Sequence, residues 1–222
     1  MTAPSGDQPE SLAALLGGKR GAIDATLPPV AFGLGWWLSD GSVGIGVGVA
    51  VVVGALLAVW RLRRGDKPRS VLIGLAGVCV AGLIALYTGR GEDFFLLQLL
   101  SNGASALAWI ISIVIRWPLL GVVVGTVLGQ KTRWRRDRAL VRAYGRASWI
   151  WVAQYVLRLL VFIPLWLAGA VGALTAARVA MTWPLIAACL AVSWWVLRRN
   201  LPADHPGIRH PQDDSATVNP GA

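Results

Sequence analysis

The sequence predicts an all-α fold, a polytopic membrane helix bundle, on three observations. The 222-residue chain is 55% hydrophobic with a mean hydropathy of +0.60, too apolar for an ordinary soluble domain. Its apolar residues fall in runs of about twenty, the length a helix needs to cross roughly 30 Å of hydrocarbon. Lys and Arg gather at the ends of those runs, where the positive-inside rule puts them. The formal charge of +10 therefore reads as membrane orientation and not as a nucleic-acid footprint.

One window sets the orientation. Seven basic residues lie between Lys131 and Arg146, flanked on both sides by apolar sequence. Such a segment resists transfer across a bilayer, so it is placed in the cytoplasm. The acidic, polar start Met1–Glu10 has no basic region before an apolar core, so the first membrane helix serves as its own insertion signal. Counting outward from the basic window gives six membrane helices with both termini cytoplasmic, in a multi-pass protein of the cell membrane.

Residues 1–11 are polar and proline-containing and are expected to be disordered. The first helix, about 22–38, is broken by Pro28-Pro29 and is expected to kink or to begin properly at Pro28. Asp24 is expected to cap it. The polar turn Ser39–Ser42 leads to a second helix over 43–60, which ends among Arg61, Arg63, Arg64, Lys67 and Arg69. The third helix runs 70–88. Arg90, Glu92 and Asp93 make a weakly charged outer loop, and the fourth helix, 94–115, ends at Arg116.

Trp117–Gly129 is apolar but short, roughly 20 Å as a helix, so it is expected at half depth, re-entrant or interfacial. Its Gly121, Gly125 and Gly129 share one face, which invites close helix packing. The basic window 131–146 is expected to form a cytoplasmic surface helix. Trp134, Ala139, Leu140 and Tyr144 among its arginines suit anionic lipid headgroups. A fifth membrane helix over 149–168, an outer connection Gly169–Arg178 and a sixth helix over 181–197 complete a single membrane domain, residues 12–199. The tail 200–222 is expected to be disordered. His205 and His210 lie in it without a scaffold for a metal. Cys79 and Cys189 each sit inside an apolar run as small hydrophobes. Most of the twelve tryptophans stand near helix ends, at headgroup level.

Few polar residues fall deep in the apolar runs, which makes them the candidate site. Arg158 lies near the middle of the fifth helix, where a charge costs about 2.5–3.5 kcal/mol on insertion scales and needs a partner or a wet cavity. Gln154 is one turn earlier on the same face. Gln98, Ser101, Asn102, Ser105 and Ser112 form a stripe along the fourth helix, and Arg158 is expected to hydrogen-bond to it. An arginine without a carboxylate at its depth suits an anionic ligand, while polar glue between helices is the structural reading of the same residues. No nucleotide loop, hydrolase elbow, metalloprotease motif or cysteine cluster is present, so an enzyme of a usual soluble type, a metal and a cofactor are not expected.

The run Gly17-Gly18-x-x-Gly21-x-x-Asp24 before Pro28-Pro29, the stretch Gly89–Phe95, Arg116-Trp117-Pro118, and Trp149–Pro164 with Arg158 carry a resemblance. Over most of residues 12–201 the chain resembles an actinobacterial family of uncharacterised integral membrane proteins, a domain of unknown function. The resemblance implies a membrane location and no particular activity. A looser likeness of element order runs to the intracellular septation protein A family, through Asp24 near Pro28 and the loop Asp66-Lys67-Pro68. That family's Trp-Lys-Pro-Thr segment has no counterpart here. Two functions follow as expectations. The first is a non-enzymatic component of envelope or division machinery, acting through the basic helix with lipid headgroups, a second copy or other membrane proteins. The alternative is a small carrier for an anionic or polar solute, with its site around Arg158 and a dimer as its working form.

Overall fold

The computed structural model describes the backbone of residues 18–129 and 132–200, and the side chains of 26–129 and 132–200. The expectations for residues 1–11, for Lys131 and for the tail with His205 and His210 lie outside the described residues. Seven α-helices follow in order: α1 Gly18–Leu38, α2 Val43–Arg63, α3 Pro68–Thr88, α4 Leu96–Val114, α5 Leu119–Val127, α6 Arg138–Leu167 and α7 Val171–Asn200. Two 3-10 turns, Gly91–Phe95 and Arg133–Arg136, precede α4 and α6. No strand occurs among the described residues.

Five segments are long and apolar enough to cross a membrane: α2, α3, Gly91–Val114, α6 and α7. Their outward side chains are apolar as well, with Leu56, Ile73, Leu83 and Leu160 all well exposed. Such a surface is stable only against lipid. The chain is a multi-pass membrane protein.

Local chemistry explains most of the ends. Ser42 caps α2 by accepting from the N–H of Ile45. Pro68 opens α3 at the position where a missing N–H costs nothing. α4 closes with Arg116 in a left-handed conformation (φ 54°), and the N–H of Trp117 reaches back to the carbonyl of Ser112 at 2.9 Å. Ser112 also accepts from the N–H of Leu119, so it ties α4 to α5 and does not belong to a deep site.

Four expectations are corrected. α1 does not begin at residue 22 or 28 but runs unbroken from Gly18 through both prolines. Asp24 therefore lies inside the helix and not at its start. Its prolines carry no N–H, so the carbonyls of residues 24 and 25 lose their helical donors. The basic window is not a separate surface helix. Asp137 caps α6 by accepting from the N–H groups of Ala139 (3.0 Å) and Leu140 (3.1 Å), and nothing after it breaks the helix before Leu167. Trp134, Leu140 and Tyr144, expected against lipid, are buried, and only the arginines around them face outward. Lastly, Gly169–Arg178 is not a connection. The turn is Ala168–Ala170, and α7 starts at Val171, ten residues earlier than expected.

α5 has nine residues, about 14 Å of helix, well short of a bilayer. At Gly121 the glycine face meets a side chain: a Cβ there would lie 2.8 Å from the Trp134 indole.

Two apolar cores occupy opposite ends of the bundle. Near the turns where Arg90 is the one basic residue, Phe32 stacks on Phe94 (4.1 Å, 3°) among Val47, Phe95, Phe162, Val171 and Leu174. At the basic end, Trp134, Leu140, Tyr144, Trp151, Cys189 and Leu197 form the second. α1 joins the first core through α2 and α7. A Cβ on Gly33 would come within 2.4 Å of the Thr175 hydroxyl of α7. Gly33→Leu is expected to destabilise the fold by about 1–3 kcal/mol by forcing α1 off α7, read as a lower melting temperature of the purified protein. An unchanged melt would show that α1 does not dock there.

Candidate functional site

Between the two cores lies a polar layer. Along one face of α6 the order is Trp151, Gln154, Arg158, Phe162, at intervals of three or four residues. Along α4 it is Phe95, Gln98, Asn102, Ala106, at the same spacing. Trp151, Phe162 and Phe95 belong to the apolar cores, Ala106 is buried, and the middle members are polar. Helical periodicity alone therefore places Gln98, Asn102, Gln154 and Arg158 at a common level.

A cavity of about 530 Å³ opens at that level. Pro28 and Pro29 of α1, Gly74, Gly77, Val78 and Ala81 of α3, Phe94, and Leu97, Gln98, Ser101 and Asn102 of α4 line it. Arg158 of α6, Arg178 of α7 and Arg61 of α2 complete the wall. Arg158 and Arg178 lie about 14 and 10 Å along their helices from the α6–α7 turn, near mid-membrane by the helical rise. Arg61 is at the basic end of α2, so the cavity extends from mid-depth toward that end.

The electrostatics are lopsided. Three guanidinium groups contribute to the lining, and no carboxylate does among the described residues. Arg61 has its own partner at the rim, Asp66, with Nε 2.8 Å from Oδ2. Arg158 does not bond to the α4 stripe as expected. Its Nη2 donates to the backbone carbonyl of Met181 on α7 at 2.9 Å. Pro184 carries no N–H, so the carbonyl it leaves without a helical donor is that of Ala180, and the Met181 carbonyl beside it accepts from Arg158 through a second lone pair.

Several buried polar atoms of the layer have no hydrogen-bond partner among the described residues: Gln98 Oε1, Asn102 Nδ2, Gln154 Oε1 and Arg158 Nε. Asn102 and Gln154 are only 5% and 4% exposed. Each such group costs about 1–3 kcal/mol when buried unpaired. Native structures keep few of them, and here four fall in one layer. Asn102 Nδ2 and Arg158 Nε are donors on the wall of the same cavity, the arrangement that receives a solute bearing oxygen acceptors.

Of the expected site residues, Gln98, Asn102 and Arg158 meet around the cavity, and Gln154 lies one turn away in the same layer. Ser101 also lines it, whereas Ser105 does not. Arg178 and Arg61 were not expected there. A single arginine within a long apolar run is the signal that could have found Arg178, since Val171 to Leu197 carries no other charge.

A family model matches residues 16–204, which takes in every described element. The chain belongs to that family, described as Protein of unknown function (DUF3159). No curated protein and no solved structure matches it. All the cavity residues of this DUF3159 chain fall inside the matched region.

Proposed function

We propose that this chain is a six-span protein of the cell membrane, with both termini cytoplasmic, that binds and carries an anionic solute. α1 is the sixth span, and α5 rests at half depth on the cytoplasmic side. The observation that carries the reading is the mid-depth cavity with Arg158, Arg178 and Arg61 on its wall and unpaired donors on Asn102 and Arg158. Guanidinium groups in a low-dielectric site bind oxyanions by paired, charge-assisted hydrogen bonds. The prolines of α1 and α7 leave helical carbonyls without donors, and polar backbone of that kind serves the midplane sites of membrane carriers. Arg61, at the basic end, draws anions toward the cavity from the cytoplasm. The envelope and division reading rests on the basic window, the helix faces and a looser likeness of element order, and it leaves the polar layer without a role.

The test is anion-dependent melting of the purified protein in neutral-lipid nanodiscs, followed by anion uptake into proteoliposomes. Carboxylates, phosphate and sulfate are compared with neutral sugars at constant ionic strength. Saturable stabilisation by at least one oxyanion, with uptake of that anion, is the expected result. A melt indifferent to every anion sinks the proposal.

A further inference from the structure

Among the described residues, the helices close around the polar layer on every side but one. α3 packs on α2, α2 on α1, α1 on α7, α7 on α6 and α6 on α4. α3 and α4 are the two ends of that arc. The Gly91–Phe95 turn joins them and packs against α3, yet along their lengths the two helices meet only sparsely. On α3 the gap follows from the sequence. Gly74 and Gly77 stand about 9 and 14 Å along α3 from Pro68, within the middle half of the span. A Cβ on either would meet nothing within 4 Å. Across the seam, Leu97 of α4 is 37% exposed, and Ser101 is exposed too. All four residues line the 530 Å³ cavity, so the seam opens that cavity sideways toward the hydrocarbon.

A sideways opening sets a condition on the occupant. Asn102 is buried, and its Nδ2 has no partner among the described residues; the same holds for Arg158 Nε and Gln98 Oε1. Hydrocarbon cannot satisfy such atoms, and a bilayer penalises polar groups left unmet. A head bearing oxygen atoms does satisfy the two donors. Arg158 makes its hydrogen bond to a neutral carbonyl, so an anionic head is the one that answers its charge. The margins of the seam ask for the opposite chemistry. Val78 and Ala81 of α3, with Phe94 and Leu97 beside α4, are apolar. A small hydrated ion suits the polar floor and not these margins. An anion carried on a hydrocarbon chain suits both.

We propose that the occupant of this cavity is an anionic amphiphile, an oxyanion head on a hydrocarbon chain, that enters from the bilayer between α3 and α4. The head lies between Arg158 and Asn102, and the chain passes Gly74 and Gly77 into the lipid. The chain of such a ligand stays in hydrocarbon throughout, so only the head has to be housed by polar groups. The inference rests on the anion site proposed above and narrows what that site takes.

The test puts the photo-crosslinker benzoylphenylalanine in place of Leu97 in the seam or, as a control, of Leu83 on the outward face of α3. The full chain sits in phosphatidylcholine nanodiscs that hold a small share of phosphatidic acid or oleate. At Leu97, adducts with at least one of these anionic lipids are expected to exceed its share of the bilayer about tenfold. At Leu83 no enrichment is expected, and Arg158→Leu should abolish the enrichment at Leu97. Equal enrichment at the two positions overturns the proposal. So do adducts of Leu97 with a second copy or with another segment of the chain, which make the seam a protein contact. Glycerol 3-phosphate and acetate carry the same heads without the chains. If either raises the melting temperature while neither lipid is enriched, the amphiphile falls and the anion site stands. If no oxyanion shifts the melt and neither lipid is enriched, both readings fall. Should the crosslinker disturb folding, Gly77→Leu decides, because its side chain enters open space and fills the seam. Its melt in pure phosphatidylcholine is expected to match wild type, and stabilisation by the anionic lipids is expected to be lost. Undiminished stabilisation in that variant overturns the proposal.

Discussion

Replacing Arg158 with leucine is expected to leave a folded, membrane-inserted protein that no longer responds to anions. Arg158 holds one hydrogen bond to the Met181 carbonyl, while its Nε has no partner among the described residues. A charge at mid-membrane costs about 2.5–3.5 kcal/mol, so a leucine there relieves insertion cost while it loses a bond worth about 1–3 kcal/mol. The two nearly cancel. Abundance and melting temperature in the absence of anions should therefore stay close to wild type, and the anion-induced shift should vanish. If the residue is instead glue between α6 and α7, the outcome reverses: abundance falls, and whatever protein remains still answers to anions. Arg158→Lys keeps the charge but not the planar fork, so an intermediate, weakened response is expected. Arg178→Leu should reproduce the Arg158 phenotype. Because the two arginines share one cavity, the double variant should add little to either single change.

The parts of this architecture that were legible in the sequence are those set by local chemistry. α2 and α3 stand close to their expected positions because a serine, a proline and basic clusters mark their ends. The polar layer was legible at Gln98, Asn102 and Arg158 because a polar side chain in an apolar run has few places to go. What escaped was decided by packing. Gly169–Arg178 contains two glycines, a threonine and an arginine, and looks like a loop. It is helical because Val171 and Leu174 are buried against the phenylalanines of the first core, and tertiary burial overrides weak local propensity. That misreading hid Arg178. The partner of Arg158 escaped for a similar reason. A backbone carbonyl three residues before Pro184 leaves no trace in a list of polar side chains. The pair Pro28-Pro29 argued for a break that α1 does not take, since α2 and α7 hold it on both sides.

The same contrast between local pattern and packing makes Trp134→Ala the most damaging single change expected at the basic end. Read along the chain, Trp134 is an aromatic among arginines and belongs at a lipid surface. In the fold it is 1% exposed, set edge-on to Tyr144 with ring centroids 5.6 Å apart, and seated on Gly121. The two positions predict different magnitudes. Truncating a surface tryptophan changes stability by about 0.5 kcal/mol at most, whereas emptying a buried indole site costs about 3–5 kcal/mol. We expect the larger value, measured as a drop in melting temperature in neutral-lipid nanodiscs. The damage should be confined in space. This indole packs in the cluster that joins α5 to α6, so hydrogen exchange should rise over residues 119–136, while the anion response of the mid-membrane layer persists. Gly121→Leu attacks the same contact from the other side and should give a similar pattern, because the added side chain needs the volume that the indole fills. A melt of Trp134→Ala that matches wild type would return this tryptophan to the lipid surface. It would also detach α5 from the bundle as described.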